Sequence, residues 1–303
     1  MSEQLLEKIE KLKDQRQAVI LAHNYQPSEV QDIADFTGDS LGLSVQAAKT
    51  DAKVIVFCGV KFMAETAAIL SPEKTVLMPD KNAGCPMADM ITAEQLRELK
   101  AENPAAVVVC YVNSTADVKA ESDYCCTSSN AVQVVKSLPA DRPVIFVPDK
   151  NLGQHVANLT ARQIIFWPGY CATHVMITPD DVQTAKRKHP KAKVLAHPEC
   201  TDQVRQLADE LLSTGQMLKF TAGGDGEYII ATETGILHSL QKQNPRAKFF
   251  AATERGICPN MKRVTLDKVL WSLEDMKYKI TVDKTIAARA RKALDRMLEI
   301  LPA

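Results

Sequence analysis

The chain has 303 residues, 46 % of them hydrophobic, which is enough for a substantial core in one to three domains. Lysine plus arginine equals aspartate plus glutamate at 37 each, without a basic run, so we expect neither nucleic acid nor an anionic membrane as partner. The start predicts an amphipathic helix rather than a signal peptide, and no stretch approaches the roughly 20 apolar residues of a membrane span. We expect a cytoplasmic location, where the eight cysteines remain thiols, metal ligands or nucleophiles.

A helix followed by a buried strand recurs along the chain. It is spelled SEQLLEKIEKLKDQRQAVILAHNY at the start, MITAEQLRELKAENPAAVVVCYVN from Met90, MITPDDVQTAKRKHPKAKVLAHPE from Met176, and begins again as VTLDKVLWSLEDMKYKITV. Thr92 and Thr178 lie 86 residues apart, and Thr265 follows 87 residues later. Threonine at each start predicts a helix N-cap, and the proline that follows the second and third helices predicts where they end. The sequence therefore predicts three similar units and a C-terminal extension that begins like a fourth.

Short apolar strands alternate with helical stretches inside each unit, for example KVIVFCGV, KFMAETAAIL and TVLMPD in the first. This alternation predicts parallel sheets covered by helices. We expect an α/β fold of three similar three-layer αβα domains in a pseudo-threefold arrangement, an internal triplication. The expected boundaries are 1–88, 89–174 and 175–261 for the repeats and 262–303 for a helical extension. A solenoid is disfavoured because its periods are about 20–50 residues.

Three cysteines follow the step of the repeat. Cys85, Cys171 and Cys258 are 86 and 87 residues apart, and each stands seven residues before the threonine that opens the next helix. Parallel sheets bind ligands at the carboxyl ends of their strands, so a threefold arrangement would bring these thiols to one point. Three thiolates around one centre suit a soft metal.

Two metal centres fit three cysteines drawn from separate units. Zinc is possible, but structural zinc sites usually use close C-x₂-C spacing. A [4Fe-4S] cluster with three cysteine ligands and one open iron fits better, and the open iron would act as a Lewis acid. The other five cysteines have no equivalents at this step, so we interpret them as small buried side chains.

Polar residues stand at the end of the first strand of each unit, where the apolar run stops. The pairs are His23 and Tyr25, Tyr111 and Asn113, and His197 and Glu199. A scaffold does not require this chemical variety. A site that binds, protonates and deprotonates different atoms of one substrate does, with His and Glu as acid–base candidates. His174, three residues after Cys171, is a further candidate.

A hydroxyl follows each pair at one constant separation. Ser40, Ser128 and Thr214 each lie 17 residues after the first member of the pair. As they stand where loops turn into helices, they are either N-caps or part of an anion site built on three helix N-termini.

With these motifs in place, the sequence resembles the quinolinate synthase family, the iron–sulfur A proteins of NAD biosynthesis. The segments AHNYQ, GDSL, FCGVKFMAET, AGCPMADM, CYVNSTADVKA, CCTSSNAV, VPDKNLG, GYCATH, HPEC and CPNMK follow the family order. The resemblance implies a triplicated α/β fold and a [4Fe-4S] cluster. It also implies a transferase that condenses iminoaspartate with dihydroxyacetone phosphate to quinolinate, phosphate and water, with L-aspartate oxidase or aspartate dehydrogenase supplying iminoaspartate.

Carried over motif by motif, the resemblance implies roles for the residues already singled out. It makes Cys85, Cys171 and Cys258 cluster ligands and Tyr25 a proton-transfer residue. The substrate site would be lined by the following residues: His23, Ser40, Tyr111, Asn113, Ser128, His197, Glu199 and Thr214. We add His174 to this predicted set because of its place three residues after Cys171. Tyr25, Glu199, His23 and His197 are the expected catalytic groups.

Two other function classes stay open at this point. An iron–sulfur hydro-lyase of a hydroxy acid would share the cluster but need no triose phosphate. A non-enzymatic iron–sulfur sensor would keep its function without Tyr25 and Glu199.

Overall fold

The computed structural model describes residues 3–300, and its elements repeat in one order three times. Each repeat consists of four helices that alternate with four strands. The first contains α1 (Glu3–Arg16), β1 (Ala18–His23), α2 (Ser28–Asp32), β2 (Phe36–Gly38), α3 (Ser40–Lys49), β3 (Val54–Cys58), α4 (Lys61–Leu70) and β4 (Thr75–Leu77).

The second repeat contains α5 (Ala93–Glu102), β5 (Val107–Tyr111), α6 (Ala116–Ala120), β6 (Tyr124–Cys126), α7 (Ala131–Ser137), β7 (Val144–Val147), α8 (Lys150–Thr160) and β8 (Ile164–Phe166), and the short α9 (Ala172–Val175) follows it. The third contains α10 (Pro179–Lys188), β9 (Lys193–Ala196), α11 (Asp202–Arg205), β10 (Glu210–Leu211), α12 (Thr214–Thr221), β11 (Glu227–Ala231), α13 (Ile236–Gln243) and β12 (Lys248–Ala251). A 3-10 turn (Met261–Arg263), α14 (Leu266–Asp275) and α15 (Lys284–Glu299) end the described chain.

The three sheets share one topology. Their strand orders are β2-β1-β3-β4, β6-β5-β7-β8 and β10-β9-β11-β12, so the first strand of each unit always lies between the second and the third. All strand pairs within the described sheets are parallel. The predicted fold class, three αβα units with parallel sheets, is confirmed.

An aspartate before the second strand of each unit shows how closely the units match. Asp35, Asp123 and Asp209 each accept a hydrogen bond from the backbone N–H of the residue 15 positions earlier, at 2.7–2.8 Å. Each also donates its own backbone N–H to the carbonyl of that residue. The reciprocal pair fixes the register of the first and second strands in all three units.

The predicted helix starts are confirmed. Thr92, Thr178 and Thr265 are N-caps whose hydroxyls accept the N–H three residues on, and the first two form full capping boxes. The helices α5 and α10 each end two residues before a proline, Pro104 and Pro190, because proline cannot continue a helix.

Strands β3, β5 and β7 are buried along their whole length. Helices cover both faces of the sheets, so these strands are continuous runs of Val, Ile, Phe, Cys and Tyr rather than alternating patterns. The largest apolar core joins side chains of all three sheets, while a separate core lies within the third unit.

The C-terminal extension does not build a fourth unit. Helix α14 packs on α1 and β3 of the first unit, and α15 packs on α4, α6 and β6. Arg291 in α15 donates to the carbonyls of Ile69 and Leu70, and Asn130 in the second unit donates to the carbonyls of Met297 and Ile300. The extension thus connects the first two units. Among residues 3–300, no helix is both long and apolar enough to cross a membrane.

Candidate functional site

A cavity of about 240 Å³ lies where the carboxyl ends of the strands of all three units meet. All the residues that the sequence analysis selected line this cavity. They are His23, Tyr25, Ser40, Cys85, Tyr111, Asn113, Ser128, Cys171, His174, His197, Glu199, Thr214 and Cys258. Their roles stay predictions, but the structure brings the whole set to one place.

The eight cysteines fall into two groups. Cys85, Cys171 and Cys258 are free, partly exposed and line the cavity. The other five are also free thiols and are completely buried, with no exposed surface: Cys58, Cys110, Cys125, Cys126 and Cys200. The second group therefore has the structural role expected of it.

The three cavity thiols have similar surroundings. Burial raises the pKa of Cys85 to about 12 and also raises the pKa values of Cys171 and Cys258. Backbone N–H groups two or three residues further on stabilise each thiolate and so lower its pKa. They belong to Met87 and Ala88 for Cys85, to His174 for Cys171, and to Asn260 and Met261 for Cys258. A metal ion deprotonates its thiol ligands outright. Three thiols that each have N–H donors of this kind and face one cavity fit a soft metal centre.

A second set of possible ligands overlaps with the first. Cys171, His174 and Glu199 offer one ligand atom each, and these atoms lie within 4.8 Å of one another. Such a mixed set would suit zinc. However, His174 Nδ1 lies 2.7 Å from Glu199 Oε2, so the two side chains already pair with each other. We therefore interpret them as acid–base groups next to a cysteine ligand.

A chain of short hydrogen bonds connects Tyr25 with Glu199. The hydroxyls of Tyr25 and Thr232 are 2.6 Å apart, Thr232 Oγ1 is 2.7 Å from His174 Nε2, and His174 Nδ1 pairs with Glu199 as given above. One proton arrangement satisfies all three contacts if Glu199 is ionised. Tyr25 donates to Thr232, Thr232 donates to His174 Nε2, and His174 Nδ1–H donates to Glu199.

Thr232 was missed in the sequence analysis. It is buried and directly follows β11, the third strand of the third unit, whereas the analysis followed only the first strands. The equivalent places after β3 and β7 hold Gly59 and Pro148, so no threefold pattern marks the position. A search for hydroxyls after every strand would have found it.

The two strand-end histidines are held in the same way. His23 Nδ1 accepts the backbone N–H of Tyr25 at 3.1 Å, and His197 Nδ1 accepts that of Glu199 at 3.3 Å. Each Nε2 therefore carries the proton of the neutral ring. Burial lowers the pKa of His23 to about 4 and that of His197 to about 3. Both rings are thus neutral N–H donors at neutral pH.

Glu199 stays ionised although it is 3 % exposed. Burial alone would raise its pKa, but His174, His197 and Tyr111 outweigh this effect and lower the pKa to about 2. Its Oε1 and the Oδ1 of Asn113 are buried acceptors without a hydrogen-bond partner among residues 3–300. Buried acceptors normally have partners, so these two atoms point to donors on a bound molecule.

The three hydroxyls are not N-caps, and this corrects one of the two roles considered above. Asp39 caps α3 and Ser213 caps α12, so Ser40 and Thr214 are the first helical residues, while Ser128 lies two residues before Asn130 at the start of α7. In α3 and α12 the cap is the residue just before the hydroxyl, and its side chain accepts a free N–H of the first helical turn. In the cavity, Ser128 Oγ is 3.2 Å from His197 Nε2, and Thr214 Oγ1 accepts the Nδ2–H of Asn24 at 3.3 Å.

The cavity wall contains no lysine or arginine among its described residues. An anion bound there would be held by neutral donors: imidazole N–H groups, hydroxyls and backbone amides. Such groups hold phosphate and carboxylate at helix N-termini in other proteins.

A family model for quinolinate synthetase A protein matches residues 7–299. The chain belongs to the quinolinate synthetase A family. Its curated relatives are similar over almost their whole length. The quinolinate synthase of Dehalococcoides mccartyi (strain CBDB1) is 56 % identical over 295 residues, 97 % of each chain. That of Methanosarcina barkeri (strain Fusaro) is 54 % identical over 298 residues, 98 % of each chain, and that of Desulforudis audaxviator is 52 % identical over 301 residues, 99 % of each.

Membership of the quinolinate synthetase A family confirms the resemblance that the sequence motifs indicated. It makes the chain an enzyme of NAD biosynthesis. The hydro-lyase and the sensor, the two other classes considered, are not favoured.

Proposed function

We propose that the protein is a quinolinate synthase that condenses iminoaspartate with dihydroxyacetone phosphate. The products are quinolinate, phosphate and two molecules of water. One observation carries the proposal: in a member of this family, a single cavity is lined by three cysteines from three units and by three residues, Tyr25, His174 and Glu199, of one hydrogen-bond chain.

The cofactor of the proposal is a [4Fe-4S] cluster held by Cys85, Cys171 and Cys258. When bound, its open iron supplies a Lewis acid that polarises a substrate oxygen for loss as water. Support comes from the three thiols that face the cavity and from the N–H groups that stabilise their ionised forms.

The substrates bring three anionic ends, two carboxylates and one phosphate. Ser40, Ser128 and Thr214 stand at the starts of three helices, one in each unit, and His23 and His197 present neutral N–H donors beside them. We assign these groups to anion binding, since a charge-assisted hydrogen bond is worth roughly 1.5–3 kcal/mol.

Proton transfer is assigned to the chain of Tyr25, Thr232, His174 and Glu199. Because the Tyr25 hydroxyl donates to Thr232, its oxygen can accept a proton from substrate while its own proton moves to Thr232. In turn Thr232 protonates His174 Nε2, and the ionised Glu199 stabilises the imidazolium through its 2.7 Å contact with His174 Nδ1. One proton thus passes from substrate to His174, and the reverse movement delivers it to a leaving hydroxyl.

The low pKa of Glu199, about 2, suits this role because the carboxylate stays ionised while His174 carries the proton. Its unpartnered Oε1, together with Asn113 Oδ1, is available to accept the substrate's N–H or hydroxyl groups. Apolar wall residues such as Phe62 and Met261 keep water away from the reacting atoms.

Iminoaspartate is unstable in water, so we infer a supplier such as L-aspartate oxidase or aspartate dehydrogenase. A cytoplasmic location is part of the same proposal. It is supported by the eight cysteines, which are all free thiols and all lie within the described residues.

The proposal is tested by an anaerobic assay that quantifies quinolinate by chromatography. We expect product only when iminoaspartate and dihydroxyacetone phosphate are both present, and Glu199→Gln should lower kcat by about 100-fold or more, the usual contribution of a general acid–base group. The proposal would be contradicted by cluster-loaded protein that makes no quinolinate, or that dehydrates a hydroxy acid without triose phosphate.

The cofactor assignment is tested by iron and sulfide analysis of cysteine variants. Cys85→Ala, Cys171→Ala and Cys258→Ala should each lose the cluster. Cys110→Ala and Cys200→Ala are matched controls, since both residues are buried cysteines, and they should retain it. Four irons per chain after removal of any one cavity cysteine would contradict the ligand set, and zinc in place of iron would favour the overlapping Cys171–His174–Glu199 set.

A further inference from the structure

Two buried carboxylates occupy the same place in the second and third units. Asp149 stands two residues after β7, and Glu233 stands two residues after β11. Neither has any exposed surface. A carboxylate is costly to bury, so each requires partners that stabilise it.

Each carboxylate bonds to the backbone of its own unit's cavity cysteine. Asp149 Oδ2 accepts the N–H of Cys171 at 3.2 Å, and Glu233 Oε1 accepts the N–H of Cys258 at 3.0 Å. The second oxygen of each is also engaged, by the N–H of Leu152 at 2.8 Å and of Gly235 at 2.7 Å. The carboxylates thus connect the cysteine loops to the segments that follow the third strands.

The first unit lacks this connection. The position two residues after β3 holds Val60, a buried apolar side chain. The loop of Cys85 is held by backbone contacts instead, from Lys61 N–H to the carbonyl of Ala83 and from Gly84 N–H to that of Asn82. Two of the three cysteine loops therefore have a carboxylate support, and the third does not.

Glu233 has one further partner. The ammonium of Lys262 lies 2.9 Å from Glu233 Oε1 and also donates to the backbone carbonyl of Tyr25. The support of the Cys258 loop is therefore connected to the strand end that carries Tyr25. A shift of this loop would disturb both the cysteine and the proton-transfer residue.

We propose that Asp149 and Glu233 are positioning residues that fix the Cys171 and Cys258 loops in the geometry needed to hold the metal centre. The inference rests on the proposed cluster site. Neither residue is catalytic in this account, since each acts through the cysteine whose N–H it accepts. Partners of this kind, one step removed from the metal, commonly change metal affinity by 10–100-fold.

The test is the rate at which anaerobically purified protein loses iron to a ferrous chelator, followed by absorbance. Asp149→Asn and Glu233→Gln should each lose iron at least about ten times faster than the wild type. The reduction potential of the bound cluster should change in both. Asp123→Asn is the matched control. Asp123 also accepts a backbone N–H, that of Val108, but it lies between strands of the second sheet and not at a cysteine loop. This variant should lose iron at the wild-type rate.

The outcomes distinguish failure of the proposed cluster from failure of the positioning role of Asp149 and Glu233. Wild-type protein that binds no iron would overturn the proposed cluster and this inference with it. Iron loss within twofold of the wild type in both variants would overturn the inference alone, as would equal acceleration in Asp123→Asn. If Asp149→Asn fails to fold, Glu233→Gln decides the question. In that case Glu233→Asp should lose iron more slowly than Glu233→Gln, at a rate closer to that of the wild type.

Discussion

Thr232 is the residue on which the proposed proton transfer depends most directly, since its hydroxyl bonds both Tyr25 and His174. Replacing it by valine keeps the branched shape but removes the hydroxyl that bonds both neighbours. We expect kcat to fall by about 100-fold with KM nearly unchanged, because general acid–base transfer commonly contributes that much. Thr232→Ser is the matched control and should retain most activity. Equal kcat values for the valine and serine variants would exclude the relay.

His23 gives a prediction for pH. Burial lowers its pKa from 6.5 to about 4, so between these values the unfolded chain binds a proton that the folded chain does not. Stability must therefore fall as the pH decreases from 7 towards 4. At pH 5 the effect of this one histidine is about 2 kcal/mol, from 1.4 kcal/mol per pH unit below 6.5.

The measurement is the free energy of unfolding of the apoprotein at pH 5, 6 and 7. His23→Gln should lose less stability than the wild type on acidification, by about the amount given above. Since the pKa of His197 is also lowered by burial, to about 3, His197→Gln should behave in the same direction. Parallel stability curves for the wild type and His23→Gln would contradict the account.

At the scale of a single element, the start of one helix holds both a capping residue and a predicted substrate-binding residue. In α12, Ser213 is the cap and Thr214 is the next residue, whose hydroxyl faces the cavity. Ser213→Ala should lower stability by about 0.5–2 kcal/mol with little effect on KM. Thr214→Ala should raise KM for one substrate by about 10-fold, the factor equivalent to 1.4 kcal/mol. Its thermal midpoint should also fall, because the Thr214 hydroxyl accepts the Nδ2–H of buried Asn24 at 3.3 Å.

Steady-state kinetics and thermal midpoints of the two cluster-loaded variants provide the test. Ser40→Ala in α3 extends it to the first unit, where Asp39 is the cap. An unchanged KM for both substrates in Thr214→Ala and Ser40→Ala would remove the hydroxyls from the binding site.

At the scale of the whole molecule, the repeat explains how much could be predicted from the sequence. Cys85, Cys171 and Cys258 share a fixed step, and that step requires them to occupy equivalent places in three similar units. The sheets, the capped helices and the cavity-lining residues follow from the same regularity. The predicted domain boundaries after residues 88, 174 and 261 rest on the same repeat and stay a prediction.

The parts that escaped prediction are those where the three units differ. Thr232, Asp149 and Glu233 have Gly59 or Val60 as first-unit counterparts, so no register marks them. The caps at Asp39 and Ser213 were displaced by one residue in the prediction, because a sequence pattern does not show which of two adjacent polar side chains reaches the free N–H groups. The C-terminal helices begin like a fourth unit but pack on the first two, which only the tertiary contacts reveal.

The central claim is that the three equivalent loops hold one cluster whose open iron meets the substrate. Mössbauer spectroscopy of protein enriched in ⁵⁷Fe, recorded with and without quinolinate, tests it most directly. We predict four irons per chain, one of which changes its spectrum when quinolinate binds while the other three do not. Fewer than four irons, or four irons whose spectra are the same with and without bound quinolinate, would contradict the account.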